Sequence, residues 1–299
     1  MENTRGILLM VFSMFAFASS DAFIKAASNN SLSPAQIIFV LGIVATIAFA
    51  AVCLMNKQNP LPMTFFAPAV LLRNFGEVLG TTGVVLALAY TDISTMSSIH
   101  QATPLMVTLG AAVILGETVG WRRWTAIIFG FLCVVLIIRP GLDGFDANAL
   151  FALVGVLGLS IRDLATRRIK DSVTTLQLSV FGYLILIPVG FIMIQIEGSD
   201  LTYILTTTQL EQAYMMGIII CSMLAYITIT ASVRLGQISA IVPFRYSRLI
   251  FALFYGIVFF GERPDWQTLL GAAGIIASGI FLMMRERDIQ TLPSDESSR

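Results

Sequence analysis

Ten apolar segments, each about 20 residues long, follow one another along the chain and restrict its fold more than any motif does. Only 12% of the 299 residues are charged, whereas 57% are hydrophobic, so the charged share is about half that of a soluble domain. A segment of this length is what a helix needs to cross a bilayer. The pattern predicts an all-α integral membrane protein with ten transmembrane helices, at Gly6–Lys25, Pro34–Met55, Phe66–Tyr90, Ser94–Leu115, Trp124–Ile138, Ala149–Arg168, Thr174–Ile196, Ala213–Arg234, Ile238–Phe260 and Trp266–Met284.

Lys and Arg at the ends of these segments predict the orientation of the chain. If the N-terminus is cytoplasmic, the outer ends of the segments hold only Lys25, Arg139 and Arg263. The inner ends then hold Arg5, Lys57, Arg122, Arg123, Arg167, Arg168, Lys170, Arg234, Arg285 and Arg287. We therefore expect both termini in the cytoplasm. The first segment has some features of a signal peptide, but its removal would leave the first of two internal repeats one helix short.

Residues recur at a nearly constant spacing, which indicates an internal duplication. The matched residues are 145 positions apart for Glu117 and Glu262, Ser94 and Ser239, and Trp121 and Trp266, 142 apart for Asp21 and Asp163, and 141 apart for Gln36 and Gln177. Each half holds five segments, an odd number, so the second repeat, residues 146–288, is predicted to be inverted relative to the first, residues 1–145. Inverted repeats are typical of secondary transporters, which bind substrate near the midplane. We expect residues 289–299 to form a disordered cytoplasmic tail.

The composition and the motifs exclude several other classes of function. The formal net charge is zero, so nothing indicates binding to nucleic acid. The three cysteines are odd in number and have no paired spacing, which predicts neither a disulfide framework nor a metal site. The sequence has no H-E-x-x-H, no G-x-S-x-G and no Cys/His set. We therefore expect no catalytic residue, no cofactor and no enzyme activity.

Arg73 and Glu77 are the first candidate site residues, because charged groups within a bilayer are costly unless they face protein or a watery cavity. They lie four residues apart and thus on one face of the third helix. One interpretation is a structural ion pair that braces two helices. The other is that Arg73 meets the substrate while Glu77 neutralises the cavity or exchanges protons with it.

Arg245 and Arg248 lie three residues apart on one face of the ninth segment and are also candidate substrate-binding residues. A guanidinium presents a rigid fork of donors that suits a carboxylate or a phosphate. The alternative is that one of them pairs with Glu77 and the other extends to the membrane surface. Even then, Arg73 and these two arginines outnumber Glu77, so we expect an anionic or zwitterionic group on the substrate.

Two prolines are predicted to interrupt the fourth and ninth segments. Pro104 frees the backbone carbonyl of His100, and Pro243 frees that of Ser239, because proline has no N–H to donate. Such breaks are places where binding and gating occur in transporters. The polar residues beside them, His100, Gln101 and Tyr246, are therefore further candidates for substrate binding.

Carboxylates near the ends of segments have simpler explanations. Asp21 and Asp163 occupy equivalent positions in the two repeats and are either solvated at the interface or form ion pairs at the gates. Glu117 and Glu262 come just before a predicted helix, where a negative charge favours the positive end of that helix. They are expected to be caps.

The sequence resembles the EamA-like branch of the drug/metabolite transporter superfamily over nearly its whole length. The similarity rests on P-L-M-V-T-L-G-A-A-V-I-L-G-E at Pro104–Glu117, on the second Gly-Glu at Gly261-Glu262, and on the segment Trp121–Gly141. It implies two inverted five-helix repeats, a central cavity lined by helices three, four, eight and nine, and transport of small metabolites across the bacterial inner membrane. Val242–Leu249 resembles segments of the S-adenosylmethionine and riboflavin transporter subgroups, but Arg248 replaces a Glu typical of the first.

The sequence therefore predicts a secondary transporter that moves a small polar, anionic or zwitterionic metabolite by alternating access. The alternative substrates are S-adenosylmethionine-like nucleosides and riboflavin. A membrane scaffold or accessory subunit is the alternative of another class, although it would not explain charges buried at the midplane. The expected partners are the substrate and the lipid bilayer, and a homodimer stays open.

Overall fold

The computed structural model describes residues 2–114, 116, 120–141, 145–169, 173–235 and 241–291, and these residues form helices and connections with no β-strand. The helices are α1 (Glu2–Asn29), α2 (Pro34–Met55), α3 (Pro68–Tyr90), α4 (Ile93–His100), α5 (Thr103–Ile114), α6 (Trp121–Ile138), α7 (Ala149–Thr166), α8 (Thr175–Glu197), α9 (Tyr203–Thr206), α10 (Gln209–Leu235), α11 (Ser247–Phe260) and α12 (Trp266–Thr291). Two short 3₁₀ helices, Met63–Phe66 and Val242–Tyr246, precede α3 and α11.

The prediction of an all-helical membrane protein is confirmed, with one difference in the number of uninterrupted spans. Nine helical segments within the described ranges are long and apolar enough to cross a membrane. The predicted fourth span, Ser94–Leu115, is instead divided into α4 and α5 by a turn at Gln101 and Ala102. The turn comes just before Pro104, which cannot donate a backbone hydrogen bond to the preceding turn. Neither piece is long enough to cross a bilayer by itself.

The predicted ninth span is also irregular at its start. Residues Val242–Tyr246 form a 3₁₀ helix that contains Pro243, and a regular α-helix begins only at Ser247. The carbonyl of Ser239 and the side chain of Glu117 lie outside the described residues. At the C-terminus, α12 continues to Thr291, and the remainder of the predicted tail, residues 292–299, also lies outside the described part of the chain.

The long helices associate in pairs. The most extensive contacts join α3 to α7, α1 to α10, α2 to α8 and α6 to α12. Helix α1 also contacts α11, whereas α7 contacts both α4 and α5. These contacts place the two halves of the broken helix beside α7 and bring α11 beside α1. The charged residues of all these elements can therefore meet in the interior.

Glycines allow the backbones of α3 and α7 to approach closely. A Cβ atom at Gly76 would collide with the backbone of α7 at Gly158 and Arg162, and one at Gly83 would collide with the backbone at Gly155. Close approach through small residues is the usual way in which helices associate in a bilayer, where apolar burial gives little net gain. The same approach brings Arg162 on α7 next to the charged residues of α3.

The substitution Gly158→Leu is expected to destabilise the protein by about 1–3 kcal/mol, because the new side chain would overlap the backbone of α3. A Cβ atom at this position would lie against the backbone of Leu79 and Gly80. Thermal unfolding of the purified protein in detergent measures the effect. Val154→Leu, at an exposed position of the same helix, is the matched control and should unfold at the native temperature. Equal unfolding temperatures for both variants would contradict this account of the α3–α7 contact.

Candidate functional site

Glu77 on α3 lies between two guanidinium groups in the interior. Arg73 Nη2 is 2.9 Å from Glu77 Oε2, and Arg162 Nη1 on α7 is 3.6 Å from Glu77 Oε1. Gly182 on α8 leaves room for this arrangement, because a Cβ atom there would press on both Arg73 and Glu77. The ion-pair interpretation of Arg73 and Glu77 thus agrees with the geometry. The pair is also linked to a second helix through Arg162.

Arg162 extends this cluster to the predicted gate residue Asp163. Its Nη2 and Nε atoms are 2.8 and 2.9 Å from Asp163 Oδ1. Arg162 therefore bridges two carboxylates, one on each of two helices. We call Arg73, Glu77, Arg162 and Asp163 the central charge cluster.

Asp21 and Arg248 form a second ion pair between α1 and α11. Arg248 Nε and Nη2 each lie within 3.0 Å of Asp21 Oδ2, and Nη2 also donates to Oδ1 at 2.9 Å. Asp21 is only 3% exposed, and the Arg248 guanidinium lies 5.2 Å from the centre of the Phe17 ring. This two-pronged geometry is the one that makes an arginine–carboxylate pair strong and specific. Neither Arg245 nor Arg248 pairs with Glu77, in contrast to the alternative drawn from the sequence.

Arg245 differs from the other interior arginines. Its guanidinium lies within electrostatic range of Asp163 and Arg162 on α7. Its side chain is exposed. Among the described residues, no hydrogen bond or ion pair holds its guanidinium. The structure thus leaves one cation uncommitted beside the central charge cluster.

The polar residues at the two helix breaks have different surroundings. Gln101 Nε2 donates to the backbone carbonyl of Tyr246 at 3.1 Å and thereby joins the two breaks. The His100 carbonyl accepts a hydrogen bond from Thr103 Oγ1 at 2.7 Å, and the His100 ring lies within electrostatic range of Arg248, Arg245 and Arg162. By contrast, the Tyr246 hydroxyl points toward α12, where a Cβ atom at Gly279 would collide with it.

Most predicted site residues are therefore brought together, and three residues outside the prediction join them. Arg162 is central, because it lies within ion-pair distance of both Glu77 and Asp163. Tyr183 on α8 and Tyr226 on α10 lie within electrostatic range of Glu77. Arg162 lies inside the predicted sixth span, which was the signal available for it. The tyrosines carry no comparable signal, because aromatic residues occur throughout membrane helices.

Glu262 is a cap, but for a different helix from the one predicted. Its carboxylate accepts hydrogen bonds from the backbone N–H groups of Ile93 and Ser94, at 2.7 and 3.0 Å, and from the Ser94 hydroxyl at 2.5 Å. It therefore satisfies the start of α4 and not that of α12. Gly261 adopts a left-handed conformation with φ 66° that turns the chain back, and Gly256 leaves space for the carboxylate. This contact joins residues 168 positions apart.

A polar cavity of about 280 Å³ lies at the same end of the molecule. Its charged lining residues are Lys25, Asp92, Arg139, Asp146, Arg263 and Asp265. Lys25 is buried and donates to the carbonyl of Thr91 at 2.5 Å, while Arg139 forms an ion pair with Asp265. The first contact joins α1 to the end of α3, and the second joins the end of α6 to the start of α12. Among the described residues, no three His, Cys, Asp or Glu side chains lie together in a way that could hold a metal ion.

The fold and the buried charges together define a multi-pass membrane protein with a charged interior. A sequence model of the EamA-like transporter family matches residues 4–139 and 147–285. The chain belongs to the EamA-like transporter family and is a membrane transporter, not an enzyme. The resemblance recognised in the sequence motifs is thus confirmed.

Curated relatives with different substrates are similar to the chain at low identity. It is 24% identical over 219 residues to the S-adenosylmethionine uptake transporter of Rickettsia bellii, covering 73% of this chain and 72% of that protein. It is 24% identical over 285 residues to the pseudopaline exporter CntI of Pseudomonas aeruginosa, covering 93% and 95%. It is 25% identical over 221 residues to the riboflavin transporter of Vibrio cholerae, covering 72% and 71%. A crystal structure at 16% identity superposes over 95% of this chain and 98% of its own with a TM-score of 0.59, which shows likeness of fold alone.

Removing the carboxylate of Asp21 is expected to destabilise the protein by about 3–5 kcal/mol, because a buried guanidinium would lose its partner. The test compares thermal unfolding of Asp21→Asn with that of the native protein. The double variant Asp21→Asn/Arg248→Gln should recover part of the loss, since it removes both charges. Asp92→Asn, at an exposed carboxylate that makes no capping bond to α4, is the control. The pair would have no structural role if Asp21→Asn and Asp92→Asn behaved alike.

The Arg139–Asp265 ion pair predicts a small dependence of stability on pH. Burial alone raises the pKa of Asp265, but hydrogen bonds from Arg139 and Thr268 outweigh it and bring the pKa below its ordinary value of 3.8. The stabilisation is therefore complete above pH 3.8 and is lost as the pH falls through the lowered pKa. Because the Asp265 side chain is 41% exposed, the ion pair contributes less than about 1 kcal/mol to the free energy of unfolding. The unfolding temperatures of the native protein and Asp265→Asn should differ at pH 7 and converge in acid, whereas a constant difference would exclude the ion pair as the cause.

Proposed function

We propose that this protein is a secondary transporter that moves a small polar, anionic or zwitterionic metabolite across the bacterial inner membrane by alternating access. The uncommitted guanidinium of Arg245 carries the proposal. The other interior arginines, Arg73, Arg162 and Arg248, each lie within ion-pair distance of a carboxylate. A cation in a membrane-spanning segment that has no carboxylate beside it is costly, so a negative group on the substrate would stabilise the loaded state.

The balance of charge around the site supports the same substrate class. Four arginines, Arg73, Arg162, Arg245 and Arg248, are matched by three carboxylates, Asp21, Glu77 and Asp163. One carboxylate or phosphate on the substrate would complete the balance. The proposed site also includes the residues beside the helix breaks, His100, Gln101 and Tyr246. The backbone carbonyl of Tyr246 accepts the hydrogen bond from Gln101.

An inverted repeat is supported by structure at equivalent positions. The break in the fourth span is a turn at Gln101 and Ala102. One repeat spacing, 145 residues, further along the chain, α11 starts at Tyr246 and Ser247. The same spacing matches α1 to α7 and α3 to α10. The contact of α3 with α7 therefore corresponds to the contact of α10 with α1. The two separate matches to the family model, residues 4–139 and 147–285, fall on the proposed halves, residues 1–145 and 146–288.

The orientation is proposed from the distribution of charged residues. The ends that carry most of the Lys and Arg residues, such as Arg122 and Arg123, would face the cytoplasm together with both termini. The polar cavity beside Lys25 and Arg263 would then open on the opposite side. Asp21 and Asp163 would act as gate residues in the two halves, and Pro104 and Pro243 as the points at which the fourth and ninth spans bend. A homodimer stays a prediction.

S-adenosylmethionine-like nucleosides and riboflavin are the alternative substrates, supported by the names of two relatives. An S-adenosylmethionine-like molecule carries a carboxylate that Arg245 would bind. Its cationic sulfonium would need a carboxylate of the protein, but Asp21 on α1 is already paired with Arg248. Riboflavin carries no charge and would depend on aromatic contacts such as Tyr183. The net positive balance thus favours an anionic or zwitterionic solute over either.

The test begins by finding a ligand. Thermal unfolding of the purified protein is measured with a panel of carboxylates, amino acids, phosphate esters, S-adenosylmethionine and riboflavin, because a bound ligand raises the unfolding temperature. Uptake of each positive solute into liposomes containing the protein then separates transport from binding. A protein that binds a solute and moves none would be the scaffold or accessory subunit of the alternative reading.

For a transported anion or zwitterion, Arg245→Ala should raise KM about 10- to 100-fold, as expected for loss of one charge-assisted hydrogen bond. Arg245→Lys should have an intermediate KM, because lysine keeps the charge but not the planar fork. Arg5→Ala, at an exposed residue near the N-terminus, is the control and should leave KM unchanged. A native KM in Arg245→Ala would refute the assigned role of this residue.

A further inference from the structure

Two glutamines join the halves of the molecule at opposite ends of one helix pair. Gln36, in the first turn of α2, donates from Nε2 to the backbone carbonyl of Asp200 at 2.9 Å. Asp200 follows the end of α8. The same side chain accepts a hydrogen bond from the backbone N–H of Ser33, so its amide is fixed at both of its atoms. Gln36 is only 3% exposed.

The opposite end of the pair carries the same arrangement with the helices exchanged. Gln177, in the first turn of α8, donates from Nε2 to the backbone carbonyl of Asn59 at 2.8 Å, and Asn59 follows the end of α2. Its Oε1 atom accepts from the backbone N–H of Thr174. The spacing of the sequence repeat relates the two ends. Gln36 and Gln177 are 141 residues apart, and so are the acceptors Asn59 and Asp200.

Close contacts fill the space between these two ends. A Cβ atom at Gly42 on α2 would lie 3.1 Å from the backbone nitrogen of Ile187, and one at Gly190 on α8 would lie 2.6 Å from that of Phe39. Near the end marked by Gln177, the rings of Phe49 and Tyr183 stack with their centres 5.6 Å apart. The two antiparallel helices are thus in contact along their length and hydrogen-bonded at both ends.

We propose that α2 and α8 form the fixed axis of the transport cycle, fastened by Gln36 at one end and by Gln177 at the other. The inference rests on the proposed function. In alternating access the halves separate at one end at a time, and both glutamine contacts are present together in this structure. A buried glutamine amide loses its hydrogen bonds if its acceptor moves away, which opposes separation of the helices at either end.

We expect the contact between Glu262 and Ser94, unlike those of the two glutamines, to open and close during the transport cycle. It also joins the two halves, but it is made at the start of α4, a short helix that ends at the break in the fourth span. Movement of α4 about that break would release Glu262 without disturbing α2 or α8. The axis and the moving contact therefore lie on different helices.

Chemical cross-linking distinguishes these roles. Cysteines 53, 133 and 221 are first replaced by alanine. Three double-cysteine variants are then made: Gln36→Cys/Asp200→Cys and Gln58→Cys/Thr174→Cys at the ends of the axis, and Ser94→Cys/Glu262→Cys at the moving contact. The Gln58 and Thr174 side chains are 2.9 Å apart in the native structure, and this variant leaves Gln177 in place. A short bifunctional thiol reagent closes each pair, and mass spectrometry verifies the link.

Uptake is measured for each variant before and after cross-linking, with the transported solute found for the native protein as the probe. Cross-linking either end of the axis should leave the uptake rate within about twofold of the untreated variant, because these ends do not separate during the cycle. Cross-linking Ser94→Cys/Glu262→Cys should abolish uptake. The untreated variants control for loss of the native hydrogen bonds.

Loss of uptake on cross-linking an axis end, in a variant that transports when untreated, would overturn the proposal. Undiminished uptake after cross-linking Ser94→Cys/Glu262→Cys would also overturn it. The melting temperature of each untreated variant identifies one that fails to fold, and the other axis pair then provides the test. A native protein that transports no solute would instead refute the proposed function.

Discussion

Pairing of charged side chains inside the bilayer is the constraint on which the centre of this structure depends. Isolated charges at this depth are unfavourable, whereas pairs joined by good hydrogen bonds are tolerated. Glu77 accordingly lies beside Arg73 and Arg162, and Asp21 is held by Arg248. Each of these arrangements includes residues from two helices. The requirement for partners thus positions α3 against α7 and α1 against α11, in addition to the contacts made by small and apolar residues.

Helix ends and breaks provide the other polar contacts of the interior. The fourth span ends and restarts near Pro104, and the free carbonyl of His100 is satisfied by Thr103. The start of α4 is satisfied by Glu262 from the other half of the chain. The start of α4 is thus bonded to a distant segment, whereas the His100 carbonyl is satisfied by a residue of the next turn. The same features that interrupt the helices also connect the two halves.

Local patterns predicted a large part of this organisation. Apolar length identified the helices, and the family motifs near Pro104 and Gly261 identified the transporter family. The four-residue spacing predicted that Arg73 and Glu77 would meet, since the geometry of one helix determines it. The partner of Arg248 was not predictable in this way, because Asp21 is 227 residues away in sequence. For the same reason, Glu262 was recognised as a cap, but the helix that it caps was not.

The sequence by itself determined the membrane class, the approximate helices and the residue types available for a charged interior. Hydropathy and helical spacing depend only on neighbours in the chain. The tertiary structure decided which charges are neutralised: it assigned Asp21 to Arg248, added Arg162 to Glu77, and left Arg245 without a bound carboxylate among the described residues. These outcomes depend on which helices lie side by side. That is decided by close contacts between backbones, as at Gly76 and Gly158, which no local pattern specifies.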